Sequence, residues 1–140
     1  MKHLILILTF LFCSSITFAG FKTANEAQSK LKTFQTKSFD LKDEKSIEKM
    51  EDDLVDSLID AVEFATKGPL NAELTREIVR VALVLLKQDK TNYGAEIILP
   101  LYKKNESEMR AILKTLPKED SQLLEKSLKG ASDEASGVEN

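Results

Sequence analysis

Residues 72–88 read AELTREIVRVALVLLKQ, and the way their apolar positions repeat decides the fold. Leu74, Ile78, Val79, Val81, Ala82, Leu83, Val84, Leu85 and Leu86 cover nearly the whole circumference of a helix. They leave a narrow polar wedge of Glu73, Arg76, Arg80 and Lys87. No period-two alternation runs through the stretch, and Asn71 just ahead of it is a residue type that caps helices. A helix apolar almost all round must be covered on several sides, so it belongs at the centre of an all-α domain. Its arginines and short length argue against a membrane span, which needs about 20 apolar residues.

Working towards the N-terminus, residues 43–67 show the clearest amphipathic pattern. Ile47, Met50, Leu54, Leu58, Ala61 and Ala65 share one face at about 100° per residue, flanked by Val55 and Val62. Lys67-Gly68-Pro69 ends that helix: glycine is expected in the left-handed position after the last turn, and proline cannot extend it. Ahead of it, QTKSFDLK (35–42) is a polar loop expected to tuck Phe39 and Leu41 onto the core. A weaker helix begins at Thr23, whose spacing to Glu26 suits a capping box, and carries Ala24, Ala27, Leu31 and Phe34.

On the C-terminal side, Tyr93–Lys104 forms a fourth helix with Ile97, Ile98 and Leu101 inward. Pro100 is expected to kink it or to mark its start. Asn105 and Glu108 repeat the capping spacing ahead of Glu106–Leu116, with Met109, Ile112, Leu113 and Leu116 inward. Pro117 opens a last short helix with Leu123, Leu124 and Leu128, which Gly130 is expected to close. Residues 131–140, ASDEASGVEN, are expected to be a disordered acidic tail. The reading is therefore all-α: one small domain over residues 20–130, with five or six helices in an irregular bundle or a short α-solenoid of helical hairpins. A tetratricopeptide register does not fit NYGAEIILPLYKK, because its small and aromatic positions fall out of phase.

The first 19 residues set the compartment. Lys2 and His3 precede the apolar run Leu4–Phe12, and Thr17-Phe18-Ala19 supplies small residues at the first and third positions before a cut. This is the layout of a secretory signal peptide, cleaved after Ala19. Cys13 follows Phe10-Leu11-Phe12, too bulky for lipoprotein processing, so it is expected to leave with the leader. The protein is then periplasmic or secreted. Cleavage leaves 19 basic against 23 acidic residues, without histidine, cysteine or tryptophan. Such a chain cannot rely on disulfides and must hold together by packing.

The same composition excludes most catalytic chemistry. Thiol and serine–histidine nucleophile systems need residues that are missing, as do zinc sites of the usual N/S kind, histidine-ligated haem and iron–sulfur clusters. No glycine-rich nucleotide-binding pattern is present. The acidic balance and the spread of lysines among carboxylates argue against nucleic acid as partner. No cofactor or metal is expected. Asp89–Gly94 has the aspartate and glycine of the first half of a calcium-hand loop. Tyr93 then replaces a ligand, and Pro100 stands where a bidentate glutamate is required.

Two constellations remain as candidate binding sites. Asp52, Asp53, Asp56, Asp60 and Glu63 lie opposite the apolar stripe of residues 43–67 and could dock a basic protein surface, or simply be a solvated face. Glu73, Arg76, Glu77 and Arg80 could form an anion-binding wedge or an internal ion-pair group. Asn105-Glu106-Ser107 is a glycosylation triplet that a helix-capping role already explains. The leading expectation is an exported accessory, adaptor or inhibitor-like module that binds another protein, without membrane insertion after cleavage. The alternative is a carrier of an apolar or anionic small ligand, with Arg76 or Arg80 as counter-charge. A carboxylate-dependent hydrolase, needing two acidic groups in one cleft, is the remaining enzymatic option.

Overall fold

The computed structural model describes residues 20–89 and 91–137. The expected signal peptide (1–19), with Lys2, His3 and Cys13, lies outside the described residues, as do the last three positions. Six α-helices follow one another: α1 (Ala24–Lys32), α2 (Glu44–Lys67), α3 (Ala72–Asp89), α4 (Tyr93–Lys104), α5 (Glu106–Leu113) and α6 (Lys118–Ala135). No strand occurs among the described residues. One turn of 3-10 helix, Thr36–Phe39, replaces the expected loop. It buries Phe39, whereas Leu41 stays 39% exposed.

α3 occupies the centre, as a helix apolar on nearly every side must. It packs against α1, α2, α4 and α5 and against the 3-10 turn. Leu74, Ile78, Val79, Val81, Ala82 and Leu85 are fully buried there. Each such aliphatic side chain contributes about 1.5–3 kcal/mol when removed from water, and no thiol supplements that packing among the described residues. The principal contacts join helices one or two places apart in the chain, such as α1 with α3, α2 with α4 and α4 with α6.

Local chemistry explains the helix ends. Asp43 accepts the Ser46 amide at the start of α2, and Asn71 accepts the Leu74 amide at 2.9 Å ahead of α3. Thr23 accepts the Glu26 amide, while the Glu26 carboxylate reaches the Lys22 amide, one residue earlier than a true capping box. Gly68 closes α2 in an extended conformation (φ −101°), not the expected left-handed one. The freed carbonyls of Thr66 and Gly68 instead accept from the Lys104 ammonium of α4. Pro100 lies inside α4. Both Pro100 and Glu96, whose carbonyl the missing N–H would have met, are exposed, so water can take that partner's place.

The C-terminal end departs most from expectation. Gly130 does not close α6, and residues 131–135 are helical rather than part of a tail. The apolar stripe Leu124–Leu128 continues in register to Ala131, which is 2% exposed. The stop comes at Gly137, in the left-handed region (φ +66°) suited to glycine just past a helix. A Cβ added at Gly130 would meet only the end of the Asn92 side chain. Gly130→Ala should therefore raise stability by about 0.5–1 kcal/mol, the helix-propensity gain, once Asn92 moves aside. An unchanged or lower denaturation midpoint would refute it.

Candidate functional site

The polar wedge of α3 separates into members with different roles. Each of the three Arg80 guanidinium nitrogens donates: Nη1 to the Phe34 carbonyl at 2.7 Å, Nη2 to the Leu31 carbonyl at 2.8 Å, and Nε to the Glu77 carboxylate at 2.9 Å. Phe34 lies just past the C-terminal end of α1, and the Leu31 carbonyl, which also accepts the Phe34 amide at 3.1 Å, has a second lone pair for the guanidinium. A cation there also meets the negative end of the helix dipole. Arg80 therefore ties α1 to α3, and Glu77 holds its side chain in place. Arg76 and Glu73 are exposed and form no ion pair among the described residues. Arg80 and Glu77 thus make a structural brace, while Glu73 and Arg76 face solvent.

The acidic face of α2 stays together, because one straight helix presents it. Asp52, Asp53 and Asp56 are exposed; Asp60 and Glu63 are partly covered. Lys30 of α1 holds Asp53 at 2.7 Å, and its ammonium also lies 5.2 Å from the Phe34 ring centre. Lys67 pairs with Glu63 one turn on. Asp52, Asp56 and Asp60 have no cationic partner among the described residues. Burial raises the Asp60 carboxyl above its ordinary value, and the charges of Glu63 and Asp56 push the same way. Among the described residues, no group of three or more side chains has the arrangement to hold a metal ion.

A third feature lies between α4, α5 and α6. There a groove of about 500 Å³ has Leu99, Tyr102 and Leu128 in its lining. Its charged lining is of both signs: Lys103, Arg110 and Lys129 with Glu106, Glu125 and Asp133. Arg110 donates twice to one Glu106 oxygen, at 2.9 and 2.7 Å. These residues come from three helices; Tyr102, Glu106 and Arg110, and Glu125, Lys129 and Asp133, each recur every four residues, but only the packing of α6 on α4 brings the two rows together. Nearby, the Asn105 side-chain nitrogen is buried without a hydrogen-bond partner. Asn105 makes no side-chain cap, against expectation; its backbone carbonyl accepts the Met109 amide. Sugar transfer to that covered nitrogen would require local unfolding.

No helix among the described residues is long and apolar enough to cross a membrane. No protein-family model, curated protein or solved structure matches the chain.

Proposed function

We propose that this chain is an exported helical accessory protein, adaptor or inhibitor-like, that docks the outer face of α2 onto a cationic protein surface. The carrying observation is the like-charged row on α2, where Asp52 and Asp56 have no cationic partner among the described residues and burial, with the charges of Glu63 and Asp56, raises the Asp60 carboxyl above its ordinary value. Lys30 and Lys67 offset the row's repulsion only at Asp53 and Glu63, and a basic partner would offset the rest. Such complementarity acts mainly on encounter rate and on choice of partner. The sequence of helix contacts supports treating the domain as a short stack of hairpins, a scaffold that holds one helix face rigid. The leader, cut after Ala19, would deliver it to the periplasm or the exterior.

The test compares the wild type with an Asp52→Lys/Asp56→Lys variant in capture and surface-binding measurements on extract from the export compartment. Association should slow about tenfold or more in the variant and lose most of its salt dependence. Equal capture by both forms at every salt concentration would refute the reading. The small-ligand alternative is served by the α4–α6 groove, whereas each of the three Arg80 guanidinium nitrogens already makes a bond within the fold. A copurifying molecule in native mass spectra, lost in Tyr102→Ala, would favour it.

A further inference from the structure

The segment ahead of α1 ends in a small groove on α2. Gly20 and Phe21 line it together with Asp60, Glu63, Phe64 and Lys67, around a space of about 200 Å³. Phe21 and Phe64 both pack against the core, so an aromatic anchor sits one residue from Gly20. Glu63 already has Lys67 as its partner. Asp60 has none among the described residues, and Asp56 lies one turn before it on the same helix.

We propose that the α-ammonium group created on Gly20 by removal of the leader pairs with the Asp60 carboxylate and clamps the start of the mature chain onto α2. This rests on the reading that the leader is cut after Ala19. Hydrolysis of the Ala19–Gly20 amide by the host's signal peptidase consumes one water. Ala19 leaves with a carboxylate, and the Gly20 nitrogen becomes an amine that takes up a proton. In the uncut chain the same nitrogen is an uncharged amide. Processing therefore installs a cation beside a carboxylate that lacks one, and the mature fold gains a tie that the precursor does not have.

The charged groups that line the groove with Gly20 are Asp60, Glu63 and Lys67 of α2, with Asp56 one turn further along the helix. From the first turn of α1, Glu26 holds the Lys22 amide at 3.0 Å, two residues from Gly20. Carboxylates outnumber the single ammonium, so the amine should titrate above its ordinary range of about 7.7–8.0. A base whose pKa rises on folding adds stability below its unfolded value and loses it as pH climbs through the folded one. The clamp is therefore in force at neutral pH and fades above about pH 8–9.

Exported protein is collected after processing in a secreting host, its N-terminus is sequenced, and its amines are carbon-13 methylated for titration by NMR. The α-amine signal, distinct from those of lysine, should titrate about one unit above the ordinary range, a tenfold gain in proton affinity. Asp60→Asn should return it to that range. Asp60→Glu should keep most of the rise, as should Glu108→Gln on α5. Far-UV circular dichroism verifies that each variant is folded. An ordinary value in correctly processed wild type, or a raised value that survives Asp60→Asn, overturns the clamp. A first residue other than Gly20 overturns the cleavage reading, and the clamp falls with it, so the two failures are told apart by sequencing.

Discussion

Replacing Gly94 with valine is expected to lower the unfolding free energy by about 3 kcal/mol, the upper part of the usual range for overpacking. Gly94 is buried in the first turn of α4, where that helix crosses α3. An added Cβ would lie 2.8 Å from the Ala82 carbonyl oxygen and 3.1 Å from Leu86 Cγ. The first of these is backbone in the most enclosed helix of the domain, so it cannot swing aside as the Asn92 side chain does for Gly130. Alanine at 94 gains helix propensity of up to about 1 kcal/mol, yet its Cβ still forces α3 and α4 apart. Gly94→Ala should therefore come out about 1 kcal/mol less stable than wild type, opposite in sign to Gly130→Ala. Thermal melts decide the matter: at about 4 °C per kcal/mol for a domain of this size, Gly94→Val should melt about 12 °C lower. A Gly94→Ala protein at least as stable as wild type would show that the two helices do not touch there.

Arg80→Met should cost about 2 kcal/mol, within the range for hydrogen bonds to charged groups and discounted for a side chain about one-third exposed. The substitution keeps the aliphatic stem and removes three hydrogen bonds, so the Phe34 carbonyl loses its side-chain partner and the Leu31 carbonyl keeps only the backbone amide of Phe34. Glu77→Leu should cost less, about 1 kcal/mol, because Arg80 retains both carbonyls when its carboxylate partner is gone. The double variant should lose less than the two single losses together, since both remove one brace. Denaturation midpoints give these values. Hydrogen exchange adds a readout specific to place: α1 amides should exchange faster in Arg80→Met, while those of α4 and α6 should hardly change. Uniform acceleration along the chain would mean that Arg80 acts on global stability and not on the docking of α1.

Much of the fold is legible along the chain because helix formation and burial leave periodic marks. The all-round apolar character of residues 74–86 required central placement, and α3 has it. The stripe Leu54, Leu58, Ala61 and Ala65 placed the inner face of α2, and all four are buried. Where two local signals competed, the pattern was ambiguous. Gly130 and Gly137 could each end α6, and the in-register Ala131 decides for the later one. Gly94 followed Asp89 and Asn92 and so resembled a turn residue, although its actual constraint is the backbone of another helix. The Arg80 partners are main-chain carbonyls 46 and 49 residues away, and a carbonyl has no letter in a sequence.

Periodicity along one strand of chain therefore determined the helical class, the central helix and the acidic face of α2, since each is a property of residues on a single helix. Packing alone decided which helix ends receive Arg80 and Lys104, where glycine must stay small, and that Lys103, Arg110 and Glu125 line one groove. Those contacts join points far apart in the chain, and their energies depend on distances of a few ångströms that no local spacing encodes.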